Sequence, residues 1–288
     1  MKNLNEKVFG KRENTSLISS KARSRASGRH LLFEPLEERQ MLAITPADYD
    51  TIRAAYPDLN LSENMADYNV IEITESQLTA TNLQNAINSA AQTPENDLIV
   101  VRTTETVNTV TLGGSELAIN TNAATQGSVT IVSLGTEKLT IDANQQSRVF
   151  NIVEDAEVGL GGLVITGGYT TDSGGGIYST GTLTVADCTI SGNTATSTSS
   201  STGGGGIDSY GTLTVTNSTI SGNSVSSTYT YGGGISSTGT LTVTNSTISG
   251  NMATGNNSYG CGISCTGTLT VTNSTISSAV SSLKVEVD

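Results

Sequence analysis

Between Gly174 and Ser278 the chain repeats one line of sequence four times, and this repeat constrains the fold more than any other feature. The copies are GGGIYSTGTLTVADCTISGN (174–193), GGGIDSYGTLTVTNSTISGN (204–223), GGGISSTGTLTVTNSTISGN (232–251) and GCGISCTGTLTVTNSTISS (260–278). They start 30, 28 and 28 residues apart. Self-similarity at such a period is typical of solenoids, propellers and arrays.

The composition of each copy favours strands over helices. Every copy has three short segments rich in Thr, Val and Ile, broken by Gly, Asn or Ser-Thr, and this composition disfavours helix. In Thr182-Leu183-Thr184-Val185 apolar and polar residues alternate, which places Leu and Val on one side of a strand. The glycine spacing excludes collagen, and the leucine-rich-repeat frame and the propeller period are both missing. The pattern predicts an all-β fold, a right-handed parallel β-helix (solenoid) with one turn per copy.

Equivalent residues of successive copies should stack in this fold, about 4.8 Å apart. Four aliphatic files are then expected to fill the interior. Two polar files are expected to hold tight turns, because Asn and Asp tolerate left-handed backbone. The aliphatic files are Ile177/Ile207/Ile235/Ile263, Leu183/Leu213/Leu241/Leu269, Val185/Val215/Val243/Val271 and Ile190/Ile220/Ile248/Ile276, and the polar files are Asn193/Asn223/Asn251 and Asp187/Asn217/Asn245/Asn273.

The sequence divides into four segments. Residues 1–43 form a basic leader, 44–96 are expected to be an N-terminal cap with short helices, 97–173 contain degenerate turns, and 174–288 contain the regular repeats. A capping helix is predicted over 81–91, with its apolar residues on one face. It would cover the open end of a solenoid of roughly six to eight turns and block strand pairing with other chains.

Charge is distributed unevenly along the chain. Residues 1–30 have eight Lys or Arg and two acids, whereas from residue 43 onward five basic and 21 acidic residues leave a net charge of 5 − 21 = −16. Such an acidic body predicts that the protein does not bind nucleic acid. The leader lacks the apolar run of a standard secretory signal, and no stretch is long and apolar enough to predict a transmembrane segment.

Two resemblances add to this interpretation. Leu36-Glu37-Glu38-Arg39-Gln40-Met41-Leu42, preceded by Phe33-Glu34-Pro35, resembles the LEPR-XLL-type leader of planctomycete extracellular proteins, with Glu38 in place of Pro and Met41 in place of Leu. That resemblance implies export, with processing near Ala43.

The repeats resemble those of polymorphic outer-membrane proteins and related β-helix surface proteins, which are marked by GGA[ILV] and FxxN. The matching tetrads stand at 174–177, 204–207, 232–235 and 260–263. The segments 190–193, 220–223 and 248–251 read IxxN, with Ile in place of Phe. This resemblance implies a surface β-helix, in a family that includes adhesins, passive surface proteins and polysaccharide enzymes.

Residues suited to catalysis are scarce. The single histidine, His30, lies in the leader, and no basic residue occurs between 149 and 283. Between Gly174 and Leu283 the carboxylates are Asp187 and Asp208, and these would be the catalytic pair if the protein hydrolysed or cleaved a polysaccharide. Asp187 stands at a turn position, and Asp208 is expected to be exposed because other copies have Ser or Tyr there. The sequence therefore favours a non-catalytic protein.

Four tyrosines are the candidate ligand-binding residues. Tyr231 and Tyr259 precede the glycine turn of successive copies and should stack on one flank, with Tyr210 and Tyr229 nearby. Aromatic rings on an uncharged Ser/Thr/Asn surface suit neutral sugars. The alternative is that these tyrosines only cover the ends of the apolar files.

Three further features of the sequence allow more than one interpretation. The acidic residues Glu154, Asp155, Glu157 and Asp172 could hold Ca²⁺ or be a solvated charge run, and no other cofactor is expected. Outward threonine files resemble the TxT faces of ice-binding β-helices, although Thr is also a common exposed strand residue. The three cysteines predict no disulfide, because Cys261 and Cys265 would be about 13 Å apart in a strand.

These features predict an exported, extracellular or cell-surface β-helix that is monomeric and non-catalytic. Adhesion or matrix interaction, with neutral glycans or surface proteins as partners, is the expected role, and the loops at 194–203, 224–231 and 252–259 would supply its specificity. A polysaccharide-active enzyme is the first alternative. Ice binding and a passive structural surface protein are the others.

Overall fold

The computed structural model describes residues 44–153, 155–198, 201–277 and 280–287. It confirms a parallel β-helix of about seven turns. The leader at 1–43, with its expected processing point, lies outside the described residues.

A full turn of the repeat region visits five columns of stacked strands, numbered here in the order that one copy visits them; column 4 begins at Tyr169 and column 5 at Ser201. Column 1 follows the glycines and contains Leu117–Ile119, Phe150–Ile152, Ile177–Ser179, Ile207–Ser209 and Ile235–Ser237. Column 2 contains Tyr68–Ile73, Asn96–Thr103, Val129–Gly135, Glu157–Gly161, Thr182–Ala186, Thr212–Thr216 and Thr240–Thr244. Both columns end on the long strand Ile263–Thr272, and Val280–Val287 pairs with it.

The other three columns form separate sheets. Column 3 contains Thr109–Thr111, Leu139–Asp142, Leu163–Thr166, Thr189–Ser191, Thr219–Ser221, Thr247–Ser249 and Thr275–Ile276. Column 4 contains Tyr169–Thr170, Thr194–Thr196, Ser224–Ser226 and Met252–Thr254. Column 5 contains Ser201–Gly203, Tyr229–Tyr231 and Asn257–Tyr259. The segments 194–203, 224–231 and 252–259, which were expected to be loops, thus contribute the strands of columns 4 and 5, because each pairs with its equivalent in the next turn.

The register confirms the four aliphatic files. Leu183, Leu213, Leu241 and Leu269 are direct partners in successive turns, and the Ile and Val files align in the same way. All their members are buried except Ile276, which is partly buried in the last turn. The number of residues from one aliphatic file to the next is the same in every copy. A single register therefore aligns all four files at once.

The two polar files differ in structure. Asp187, Asn217, Asn245 and Asn273 have left-handed φ values of 55°, 47°, 50° and 48°, which confirms their turn role. The file Asn193, Asn223 and Asn251 is buried inside the solenoid. There the residues before the asparagines, Gly192, Gly222 and Gly250, take the left-handed conformation instead.

A helix covers the N-terminal end of the core, as predicted. Ala80–Ala90 begins after Thr79, whose side chain caps it, and places Leu83, Ala86 and Ile87 in the main core. Its Gln84 amide accepts a hydrogen bond from the Ala118 N–H (2.9 Å) and donates one to the Ala118 carbonyl (3.0 Å). The helix therefore supplies hydrogen-bond partners for the backbone of Ala118 at the edge of the first column 1 strand. This contact blocks pairing of that edge with another strand.

A second N-terminal segment lies along the outer face of column 2, and we call residues 44–67 the clamp. It contains the helix Pro46–Ala55 and the 3₁₀ turns Pro57–Leu59 and Met65–Asp67, whereas Glu75–Gln77 and Ala123–Gln126 are short helices elsewhere. Tyr49 and Ile52 pack on Leu98, Val100 and Val132. This segment was expected to be part of an end cap.

The strand composition explains the position of the clamp. The first column 2 strands are apolar on both faces, so one face fills the core and the other needs a cover. The column also begins earlier than the expected boundary at residue 97, because Tyr68–Ile73 pairs in parallel with Asn96–Thr103. Among the described residues, no helix has both the length and the apolar content needed to span a bilayer.

Candidate functional site

Columns 5 and 1 meet at a concave corner of the solenoid. The chain leaves column 5 at Gly203, Tyr231 and Tyr259, and Ser173 holds the equivalent position one turn earlier. After each of these residues it turns through a glycine with positive φ, for example Gly204 at 59°. The outer sides of the two columns then face each other: a Cβ added at Gly203 would lie 2.5 Å from Ser236 Oγ and 2.9 Å from Asp208 Oδ1. We call this surface the corner, and its column 1 side is the file Asn151, Tyr178, Asp208, Ser236 and Ser264.

Tyr231 and Tyr259 form the expected ring stack on the column 5 side of the corner. They are partners in successive strands, and their ring centroids lie 5.2 Å apart with an interplanar angle of 10°. Tyr259 is 43% exposed. Tyr229 is 39% exposed and lies on the same side of its strand, because the intervening Thr230 is buried. Ligand binding by these residues stays a prediction.

Tyr210 pairs with a residue that sequence analysis did not single out. Its ring lies 5.7 Å from that of Tyr178, at an interplanar angle of 50°, and it is 50% exposed. The Arg148 guanidinium carbon lies 5.2 Å from the Tyr178 ring centroid. The sequence signal for Tyr178 was its alignment with Asp208 of the next copy, which places both residues in one file.

Asp208 is buried, which makes the expectation of an exposed residue wrong. Its side chain accepts hydrogen bonds from Ser236 and Ser173, and it is 2% exposed. Burial raises the pKa of its carboxyl to about 6, against the lowering effect of the two serines and of Arg148. The negative charge of Asp208 in turn raises the pKa of Tyr210 to about 12. The residue is buried because column 5 folds over the outer side of column 1.

Asp187 lies in different surroundings from Asp208. Its φ of 55° confirms the turn role, and its side chain is hydrogen-bonded to Asn217 and lies near Lys138 and Asp58. Burial raises the pKa of its carboxyl. The groups that act on Asp208 are another set, namely Ser236, Ser173, Arg148 and Asp172. Asp187 and Asp208 therefore have different neighbours. A catalytic role of the two carboxyls stays a prediction.

The described residues among the four candidate calcium ligands do not form one cluster. Glu154 lies outside the described residues. Asp155 accepts a hydrogen bond from Asn122 (3.4 Å), Glu157 begins a column 2 strand, and Asp172 lies near Asp208. Within the part of the chain that the structure describes, no group of three or more His, Cys, Asp or Glu side chains is arranged to hold a metal.

The outward threonines of column 2 form the expected array. Thr182, Thr212, Thr240 and Thr268 are exposed and aligned, and Thr184, Thr214, Thr242 and Thr270 form a second, half-buried file beside them. The clamp ends this surface, because Leu59 packs over Gly159 in the turn before Thr184. All three cysteines are free, and Cys188 and Cys265 are buried.

An open depression of about 480 Å³ adjoins the corner near Glu116, Arg148 and Tyr169. Arg148 is already engaged there: its Nη1 lies 2.8 Å from Glu116 Oε2, and its other nitrogens donate to the Ser173 and Gly174 carbonyls. Arg148 thus holds the chain in place at the first turn of the corner.

No protein-family model, curated protein or solved structure matches this chain. The geometry described above is therefore the basis for the function proposed below.

Proposed function

We propose that this protein is an exported, non-catalytic β-helix that binds neutral glycans at the Tyr231–Tyr259 stack and serves in adhesion or matrix interaction. The observation that carries the proposal is a pair of stacked, partly exposed rings on an uncharged surface. From residue 209 to 283 the chain has no Asp, Glu, Lys, Arg or His. A ring face offers apolar contact to the C–H face of a sugar, while the phenol hydroxyl and the surrounding Ser, Thr and Asn can bond sugar hydroxyls.

Export and the surface location rest on the resemblance of the leader to planctomycete extracellular proteins and of the repeats to surface β-helix proteins. The non-catalytic assignment is supported by the separate surroundings of Asp187 and Asp208. It is also supported by the structural engagement of Arg148 by backbone carbonyls and Glu116.

A retention experiment tests this function. The full chain is passed over immobilised neutral and acidic polysaccharides, with and without Ca²⁺, while retention and newly released reducing ends are both measured. We expect retention on neutral polysaccharide, independent of Ca²⁺ and without released ends. Released ends would instead favour the polysaccharide-active alternative, and an absence of retention on every neutral polysaccharide would overturn the proposal.

Substitutions locate the binding surface. Tyr231→Ala with Tyr259→Ala is expected to weaken retention about tenfold or more, which corresponds to at least about 1.4 kcal/mol, because both ring faces are lost. Tyr231→Phe with Tyr259→Phe keeps the rings and should keep most of the binding. Val107→Ala shortens the 38% exposed Val107 side chain, which lies between columns 2 and 3 of an early turn and outside the segments 194–203, 224–231 and 252–259. It is the control, which should bind as the unchanged protein does.

The aligned threonine array favours a second candidate function, ice binding. Its support is the unbroken register of two neighbouring hydroxyl and methyl files over four turns. Thermal hysteresis of the full chain is the measurement, and Thr214→Tyr with Thr242→Tyr, which would break the flat array, should abolish it. If a solution of the full chain freezes at its equilibrium melting point, without thermal hysteresis, ice binding is excluded.

A further inference from the structure

Two aromatic pairs border the same file of the corner. Parallel pairing aligns Tyr178, Asp208, Ser236 and Ser264 in successive turns. The Tyr178–Tyr210 pair lies at the first two of these turns. The Tyr231–Tyr259 pair belongs to the last two, on the column 5 side that faces this file across the corner. We call the two pairs the first and second platforms.

The spacing of the platforms exceeds the size of one sugar. Successive turns stack about 4.8 Å apart, so the three steps from the Tyr178 level to the Tyr259 level span roughly 14 Å. Between the platforms the file contains the buried side chains of Asp208 and Ser236, which are 2% and 7% exposed. A ligand that reaches both aromatic pairs would therefore pass above these residues, and no large side chain of this file separates the pairs. One pyranose ring can contact one platform, whereas an extended chain of several sugars can contact both.

We infer that the corner binds one extended neutral oligosaccharide along the solenoid axis, with sugar units on both platforms. This inference rests on the proposed glycan binding and adds the length and the direction of the ligand. Tyr210 supplies the accessible ring of the first platform. Tyr178 supports it from below, since Arg148 packs against the Tyr178 ring and is itself held by Glu116.

The physical consequence is a strong dependence of affinity on ligand length. A sugar bound on one platform brings the next part of the same chain near the other, so the second contact forms at a high effective concentration. Short ligands gain one contact only. Removal of one platform should therefore cancel the advantage of a long ligand and leave the binding of a short ligand at the other platform intact.

The test titrates the full chain with cello-, xylo- and chito-oligosaccharides, from the disaccharide to the hexasaccharide of each series, by calorimetry. In the series that binds, we expect the hexasaccharide to bind at least tenfold more tightly than the disaccharide. Tyr210→Ala should reduce this ratio to about twofold without weakening the disaccharide bound at the second platform. Tyr210→Phe keeps the ring and should keep the ratio, and Val107→Ala is the control outside the corner.

Two results would overturn the inference in distinguishable ways. If Tyr210→Ala binds every length as the unchanged chain does, or if length has no effect, then the first platform takes no part, and the proposed function stands with a single-platform site. If none of the three series binds, the proposed glycan binding fails and the inference fails with it.

Discussion

At the scale of single residues, the buried asparagine file shows how a polar group becomes part of a solenoid core. Asn223 Nδ2 donates to the Ile190 carbonyl (2.9 Å) and to Asn251 Oδ1 (3.0 Å), while its own Oδ1 accepts from the Asn193 backbone N–H (3.1 Å) and from Asn193 Nδ2 (3.0 Å). Asn193 and Asn251 donate in the same way to the Ile165 and Ile220 carbonyls of the preceding turns, so the file links successive turns. These residues were expected to hold tight turns, and their hydrogen bonds show that they also connect successive turns of the solenoid.

Asn223→Ala is expected to lower the free energy of unfolding by about 2–4 kcal/mol. The substitution leaves a buried carbonyl, a buried N–H and the next amide of the file without their partners, and such groups are costly to leave unpaired. Urea denaturation measures the change. Asn245→Gly is the control, since Asn245 is exposed and its left-handed backbone suits glycine. A loss below about 1 kcal/mol in Asn223→Ala would contradict the proposed role of the file.

At the scale of elements, the clamp explains why the early turns depart from the repeat. Gly161 pairs with Ala186, so Gly162 occupies the turn position that is Asp187 in the next copy. A side chain at Gly162 would collide with the Tyr56 hydroxyl, which donates a hydrogen bond to the Ser133 carbonyl (2.8 Å). The glycine is required by the clamp packed above it, in addition to its positive φ of 68°.

Gly162→Asn, which restores the repeat residue, is therefore expected to destabilise the protein by about 1–3 kcal/mol. Asn tolerates the left-handed backbone at this position, so the cost comes from the displaced Tyr56 ring. A double-mutant cycle with Tyr56→Ala isolates that contact, because Gly162→Asn should cost little once the ring is absent. Additive effects of the two substitutions on the urea midpoint would show that the clamp is not the cause.

At the scale of the whole molecule, buried carboxyls set the pH dependence of stability. Burial raises the pKa of Asp97 and of Asp208 to about 6, and one Asp97 oxygen is buried without a hydrogen-bond partner. Arg102, whose Nη2 lies 2.9 Å from Asp48, acts in the opposite direction and lowers the pKa of Asp48 to about 2. The unfolded chain has ordinary values near 4 for all three.

We expect stability to be highest near pH 4. Above that pH the unfolded chain loses the protons of Asp97 and Asp208 before the folded protein does, so stability falls until about pH 6, by an amount on the order of 2 kcal/mol for Asp208. Below pH 4 the contribution of Asp48 is lost as its folded-state pKa is approached. Urea midpoints from pH 3 to 8 measure the profile. Asp97→Asn with Asp208→Asn should flatten it between pH 4 and 6, and an unchanged slope would contradict this assignment.

Columns 1 to 3, their register and the filling of the core could be predicted from the repeat alone, whereas columns 4 and 5 lie in segments that were expected to be loops. Identical residues at a constant period must stack on one another if any one pair does, so Leu183, Ile190 and their equivalents could be placed before any coordinate was known. The helix at 80–90 could also be predicted, because its apolar residues recur at helical spacing. The stack of Tyr231 on Tyr259 followed from the same repeat.

Contacts between non-repeated residues could not be predicted from the repeat and are seen in the folded protein alone. The burial of Asp208, the pairing of Tyr210 with Tyr178 and the path of the clamp over Gly162 depend on how sharply the glycine turns fold column 5 over column 1, and on contacts between segments far apart in the chain. Periodicity describes how a turn relates to the next turn, but it contains no information on the angle between columns or on a segment outside the repeat. The corner, and with it the candidate site, is a product of those angles.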